Sequence, residues 1–172
     1  TLLWVLDKTS TSMGGRLLRR WISDPLIDEN EINERLEAVE ELKDDIILRG
    51  ELLDKLKGVY DMERLAGKIA YGNTNGRELN SLKNSLMQLP DVKNIIKNSK
   101  SELIQELEEN LDACEDLAGL IDKAIVEDPP ILITEGGVIK MGFNPEIDEL
   151  KTAMTQGKTW LVQLEARERE ET

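Results

Sequence analysis

Histidine is absent from the 172-residue chain, and cysteine occurs once, at Cys114. The chain therefore lacks the commonest general base and metal ligand, and it lacks the cysteine pairs of zinc sites. One cysteine also excludes an internal disulfide and is typical of a protein from a reducing compartment. No Walker A sequence and no Glu-x-x-His metal pair is present. The sequence predicts that this chain alone is not an enzyme and holds no cofactor or metal.

Aromatic residues are also scarce, at 3% of the chain, and no apolar run approaches the length of a membrane span. Leucine and isoleucine must therefore supply most of the core, which a chain of this length can build without disulfides. No signal-like segment opens the chain. We expect a cytoplasmic protein with no membrane partner.

Positive charge is confined to one part of a strongly acidic chain. The net charge is −13, but the first 20 residues carry +3 and the remainder −16. Three arginines, Arg16, Arg19 and Arg20, lie on or beside one helical face. They are candidates for a DNA phosphate contact or an interdomain contact. The favoured alternative is a solvated face that pairs with acidic neighbours, because charge runs usually solvate a surface.

The helical pattern begins in this basic segment. Thr9 or Thr11 can cap a first helix, and Pro25 ends it because proline cannot donate an N–H and disfavours helix at the preceding residue. The apolar residues of this helix share one face, which we expect the rest of the chain to cover: Met13, Leu17, Leu18, Trp21 and Ile22.

Further amphipathic helices follow as far as residue 126. Asp28 and Asp61 can cap two of them, and Asn75 with Glu78 forms a capping-box pattern. Cys114 lies on an apolar face, where a buried, inert thiol is the favoured interpretation. The positions expected to point inward in the last two helices are Leu103, Leu107, Leu117, Ile121 and Ile125.

A single strand signal interrupts the helices. The β-branched runs Ile131–Thr134 and Val138–Met141 flank Glu135, Gly136 and Gly137, a pattern that predicts a hairpin. A phosphate-binding loop is the alternative, but the P-loop lysine and the dinucleotide-binding spacing are both missing.

The chain ends in a long helical pattern. Asn144 can cap it, Pro145 suits its first position, and helical propensity continues to Glu171. Apolar residues at alternating intervals of three and four form a narrow seam, with Gly157 as its weak member: Ile147, Leu150, Met154, Leu161 and Leu164. The last two turns have no apolar face. We predict an all-α fold: a helical bundle over residues 1–130, the hairpin over 131–143, and a projecting helix over 144–172, together one structural domain.

Three separated stretches carry a resemblance to a known family. They are TLLWVLDKTSTSMGGRLLRRWISDPLID at the start, TEGGVIKMGFNPEIDEL at Thr134–Leu150 and LEAREREET at Leu164–Thr172. In this order and at this spacing they resemble the core domain of the bacterial MutS family, the DNA mismatch-recognition ATPases. The similarity covers essentially the whole chain.

The resemblance implies that this chain is one piece of a larger protein and performs one part of its function. Members of the family read mismatches with a Phe-x-Glu motif and hydrolyse ATP with a Walker loop, and this sequence contains neither. It matches the helical core that connects the ATPase and DNA-clamp domains, with the outgoing lever helix at Pro145–Thr172. The clamp junction would be Arg167, Glu168, Arg169 and Thr172. ATP and Mg²⁺ would belong to the parent protein. Implied partners are its other domains, a second subunit of a homodimer, mismatched DNA and a MutL-like protein.

Two other functions fit the residues. One is an independent helical DNA- or protein-interaction module that uses the basic face of Arg16, Arg19 and Arg20, for which salt-sensitive DNA binding is expected. The other is a coiled-coil dimerisation module based on the seam, which Gly157 and the short length of the run disfavour.

Overall fold

The computed structural model describes residues 2–171, except for the side chains of residues 164, 166 and 168–171. Within this range the chain forms helices and one short 3₁₀ turn, which confirms the all-α prediction. The α-helices are α1 Leu2–Leu6, α2 Ser12–Ser23, α3 Glu29–Asp44, α4 Ile46–Lys57, α5 Met62–Ala70, α6 Gly76–Leu86, α7 Leu89–Ile96, α8 Glu102–Asn110, α9 Glu115–Ala124 and α10 Pro145–Glu171.

The predicted caps lie where the helices begin. Thr11 accepts a hydrogen bond from the first turn of α2 at 3.0 Å, and Asp28 does so for α3 at 2.9 Å. Asp61 caps α5 at 3.1 Å. Asn75 and Glu78 form the full capping box of α6. Each cap pairs backbone N–H groups that have no partner inside the helix, and this explains why these four helices begin where they do.

The core consists of two clusters. The first joins α5, α6 and α9 with the start of α7 through Leu65, Leu82, Leu86, Leu89, Ala118, Ile121, Ala124 and Ile125. The second joins α3, α7 and α8 through Ala38, Ile96 and Ile104. Helix α7 contributes to both clusters, so it links them into one bundle.

The predicted hairpin over residues 131–143 is wrong. Residues Ile133–Glu135 form a 3₁₀ turn, and Val138–Lys140 instead lies beside the end of α9, where Ile139 makes an isolated antiparallel bridge with Ile125. Gly136 has φ 76° and ψ −177°, an extended conformation open essentially to glycine alone, whereas a two-residue hairpin turn requires a reversal there. The chain therefore passes through the Gly-Gly pair without folding back on itself.

Several apolar faces are exposed. We expected the rest of the chain to cover the Trp21 face, but Trp21 is 40% exposed in the structure. The Arg35 guanidinium stacks over its ring, 4.0 Å from the centroid. Leu36 and Val39 of α3 are more than half exposed. Two positions predicted to point inward, Leu107 and Leu117, are also exposed.

Cys114 lies at the N-cap of α9 in the left-handed backbone region, with φ 47°. Its side chain is partly buried against the first core cluster. Burial, together with the neighbouring carboxylates of Asp112 and Asp116, raises the pKa of the thiol above its usual value. A raised pKa lowers the thiolate fraction, so the predicted inert thiol agrees with this environment.

Candidate functional site: the arginine face and the base of the long helix

Arg16 is engaged in an intramolecular ion pair. Its Nη1 and Nη2 donate to the two carboxylate oxygens of Asp61 at 2.7 and 2.8 Å, and Nη2 and Nε donate to Glu63 at 2.7 and 3.2 Å. Ser12 also donates to Asp61 at 3.2 Å. This bidentate contact fastens α2 to the start of α5, because Asp61 is also the N-cap of α5.

The charges of this pair stabilise one another. The Arg16 guanidinium is the main reason that the pKa of Asp61 lies well below its usual value, since its hydrogen bonds outweigh the opposing effect of burial. In return, the Asp61 and Glu63 hydrogen bonds raise the pKa of Arg16. Arg16 therefore has the surroundings of a solvated face that pairs with acidic neighbours.

Arg19 and Arg20 lie further along α2 and are exposed. Arg20 is in the last turn of the helix, where positive charge interacts favourably with the helix dipole. Arg16 is exposed as well, but unlike these two side chains it takes part in the ion pair with Asp61 and Glu63.

The long helix α10 is held to the bundle at its base. Asn144 caps it by accepting from Glu146 N at 2.9 Å, and Asp148 accepts from Gly142 N at 2.8 Å. One turn further along, the Lys151 ammonium donates to the carbonyl of Ile139. The first two turns of α10 are thus tied to the segment that precedes it.

That preceding segment is in turn tied to α9. Val126 N donates to Val138 O at 3.0 Å, and Lys140 N donates to Ala124 O at 2.7 Å. The Lys140 side chain also donates to the carbonyl of Asp122 on α9. These contacts form a short bridge between the bundle and α10.

Beyond its base, α10 presents apolar side chains to solvent. Leu150, Met154 and Leu161 of the predicted seam are 71%, 60% and 58% exposed, and Ile147 at the base is half-buried. Of the predicted clamp junction, Arg167 is exposed. The side chains of Leu164, Glu168 and Arg169, and all of Thr172, lie outside the described residues.

None of the described helices combines the length and the apolar character needed to cross a membrane. Within the same part of the chain, no group of three or more acidic or cysteine side chains is arranged to hold a metal ion.

Comparison with known proteins identifies the family. The family model described as MutS domain III matches residues 1–171. The chain belongs to the MutS domain III family. It is 52% identical over its whole length to the DNA mismatch repair protein MutS of Ruminiclostridium cellulolyticum. It is 49% identical to that of Alkaliphilus oremlandii and 48% identical to that of Halothermothrix orenii, again over all 172 residues.

This domain III chain spans about a fifth of the length of these relatives, at 20%, 20% and 19%. The first resembling stretch, which contains Arg16, forms the contact between α2 and the start of α5. The second resembling stretch, Thr134–Leu150, forms the bridge and the base of α10.

Sequence reasoning missed how the connecting segment of domain III packs on α6. Gly76, at the start of α6, faces Pro129, which is fully buried, and Val138, which is half-buried, and no space remains there for a side chain. Arg77 Nε donates to Pro129 O at 2.8 Å, and Asn80 Nδ2 donates to Val126 O at 2.8 Å. One feature of the sequence could have indicated this packing. Gly76 is the first residue of a capped helix, where the backbone does not require glycine, so a glycine there indicates a close neighbour.

Proposed function

We propose that this chain is the core and lever of a DNA mismatch repair protein, in which α10 transmits movement between the helical bundle and a DNA-gripping clamp. The observation that carries the proposal is α10 itself: a helix of 27 residues, fastened through its first two turns to the segment that joins it to α9, with Leu150, Met154 and Leu161 of its seam exposed. Membership of the MutS domain III family supports the repair context.

The dimensions of α10 suit a lever. At 1.5 Å per residue the helix is about 40 Å long, so a rotation of about 5° at its base would move its far end by about 3–4 Å. In this proposal, the hydrogen-bonded bridge between residues 124–126 and 138–140 would act as the pivot of that rotation. A change in the packing of α9 would therefore reach α10 directly.

The exposed seam supports the same proposal. Met154 and Leu161 face solvent on a helix whose Thr152, Thr155 and Thr159 hydroxyls donate to carbonyls of their own helix. Solvent-exposed leucines at this density are costly unless another surface covers them. The parts of the longer protein that would surround α10 are the natural source of that surface.

The parent protein would supply the chemistry. In this proposal, ATP with Mg²⁺ binds to an ATPase domain elsewhere in a cytoplasmic homodimer, and mismatched DNA and a MutL-like protein bind to the assembled protein. Transmission through α10 requires two discrete arrangements of the bundle and helix, each favoured by a different nucleotide state.

A chimera provides the test. This chain would replace the corresponding segment of the Ruminiclostridium cellulolyticum protein, which is 52% identical. Gly157→Pro removes a hydrogen bond inside α10 and should kink it, at a cost of about 3 kcal/mol in helix stability. Gly157→Ala is the matched control, because nothing lies within 4 Å of the added Cβ.

The readout is ATP-dependent clamp closure, followed by fluorescence energy transfer between dyes on the clamp and the bundle. We expect closure to be lost in Gly157→Pro and kept in Gly157→Ala, with both chimeras folded by circular dichroism. Unchanged clamp closure in Gly157→Pro would refute the lever proposal.

The basic face supports a second candidate, a direct contact with DNA, because Arg19 and Arg20 are exposed beside the half-exposed Trp21. The pairing of Arg16 with Asp61 and Glu63 weakens this candidate. The test is a double variant, Arg19→Glu with Arg20→Glu. A DNA contact predicts weaker binding of the chimera to DNA and a shallower dependence on salt. Unchanged DNA binding would eliminate it.

A further inference from the structure

One groove of the described structure shares no lining residue with the arginine face or with α10. It has a volume of about 1110 Å³ and is formed by the second half of α3, the start of α4 and the loop between α7 and α8. It is independent of the lever role and remains unexplained by it.

The floor of this groove is apolar and exposed. Ile46 and Ile47, the first two residues of α4, are 70% and 75% exposed, and Ile95 of α7 also lines the groove. Two adjacent isoleucines left in water forgo the stabilisation that burial against another apolar surface would give them.

The rim of the groove is strongly acidic. Six carboxylate side chains line it, while Lys100 is the one cationic side chain in the lining within the described part of the chain. The carboxylates are Glu37, Glu40, Glu41, Asp44, Asp45 and Glu51.

Two of these carboxylates have structural roles. Glu41 accepts hydrogen bonds from Ser99, Lys100 and Ser101, and Asp45 caps α4 through Leu48 N. Among the described residues no ion pair involves the other lining carboxylates except Asp44, which has a distant contact of 3.9 Å with Lys43. Most of the rim charge is therefore free to meet a ligand.

The position of the charge adds to this argument. Glu40 and Asp44 lie near the C-terminus of α3, where the helix dipole disfavours negative charge. The arrangement therefore lowers the stability of α3 rather than raising it. Ser101, which also lines the groove, is 6% exposed, and its hydroxyl has no hydrogen-bond partner among the described residues.

We propose that this groove is a docking site for a basic polypeptide segment that presents aliphatic side chains between its lysines and arginines. The isoleucine floor would bury the aliphatic side chains, and the carboxylate rim would face the cations. Charge complementarity selects this occupant: a nucleic acid or an acidic peptide would be repelled by the rim. An uncharged apolar peptide would leave the carboxylates of the rim without a cationic partner.

The test uses the full 172-residue chain and a synthetic fluorescent peptide in which lysine and leucine recur at helical spacing. Two control peptides keep the length: one has glutamate for each lysine, and the other has serine for each leucine. Binding is measured by fluorescence anisotropy at low and at physiological salt. We expect the Lys/Leu peptide to bind, the Lys/Ser peptide to bind at least about tenfold more weakly, and the Glu/Leu peptide not to bind.

Variants locate the binding on the chain. Glu40→Lys with Asp44→Lys should weaken binding about tenfold, because two attractions become repulsions. Ile46→Ser with Ile47→Ser should weaken it by a similar factor without unfolding the chain, since both side chains are exposed. Glu146→Lys with Glu149→Lys on α10 is the matched charge control and should change binding less than twofold.

Three results would overturn the proposal. The first is no binding of the Lys/Leu peptide. The second is equal binding of the Lys/Ser peptide, since the isoleucine floor would then have no role. The third is an equal loss in the α10 control, which would mean that the peptide responds only to the overall charge of −13.

Discussion

Adding one methyl group at Gly76 tests how closely the connecting segment packs on α6. A Cβ at this position would lie 2.8 Å from Pro129 Cβ and 3.0 Å from both Pro129 Cγ and Val138 Cγ1. Carbon atoms that are not bonded prefer separations of about 3.5–4.0 Å. Because Pro129 is fully buried, the segment that carries it must move away from α6.

The cost can be bounded from these distances. Overpacking of a filled site costs about 1–3 kcal/mol, and alanine recovers at most about 1 kcal/mol over glycine in a helix interior. Gly76 is the first residue of α6, so the recovery there is smaller. We expect Gly76→Ala to lower the free energy of unfolding by about 1–2 kcal/mol.

Urea unfolding followed by circular dichroism measures this change. With a slope of about 2 kcal/mol per molar urea, the midpoint should fall by about 0.5–1 M. Gly119→Ala in α9 is the control, since nothing lies within 4 Å of its Cβ. It should raise stability by up to about 1 kcal/mol. If the Gly76→Ala chain were as stable as the unsubstituted chain, the close packing of Pro129 and Val138 on Gly76 would be refuted.

Two further substitutions test individual side chains. Asp61→Asn keeps a good N-cap but loses the charge that pairs with Arg16. The fold lowers the pKa of Asp61. The Asp61 carboxylate therefore stabilises the fold above its ordinary pKa of 3.8, and this stabilisation is lost as the pH falls below that value. The variant should therefore be less stable at neutral pH, and the difference should shrink in acid; a difference independent of pH would contradict the ion pair. Glu41→Ala removes the acceptor of the Ser101 N–H and should cost about 1–3 kcal/mol, whereas the exposed Glu40→Ala should change stability by less than about 0.5 kcal/mol. Equal effects in thermal unfolding would refute the role of Glu41.

Local chemistry made much of the fold predictable. The N-caps at Thr11, Asp28, Asp61 and Asn75 depend on residues within one turn, so a short stretch of sequence is sufficient to place them. The bounds of α10, from Pro145 to Glu171, also follow from a local cap and sustained helical propensity.

Contacts between distant segments were not predictable in the same way. The Val138–Lys140 stretch has the composition of a strand, but its partner is residues 124–126 rather than the neighbouring run at 131–134. Periodicity likewise showed which face of α2 is apolar, but it carries no information on whether another element covers that face. The exposure of Trp21 could not be predicted for this reason.

The candidate site likewise has a part that could be predicted from local sequence and a part that depends on contacts between distant segments. The sequence singled out Arg16, Arg19 and Arg20, but only the structure shows that Arg16 is paired with Asp61 and Glu63 across more than forty residues. The packing of Gly76 on Pro129 had no sequence signal of comparable strength.

Two distances show whether α10 moves as a rigid lever. In the chimera, with Cys114 and other native cysteines replaced, spin labels at positions 149 and 163 report on α10 itself. A second pair, at positions 84 and 163, reports on α10 relative to the bundle. We predict that the first distance stays near 21 Å, as 14 residues of straight helix require, while the second changes when ATP is added. If the second distance is the same with and without ATP, or if the first one changes, α10 is not a rigid lever.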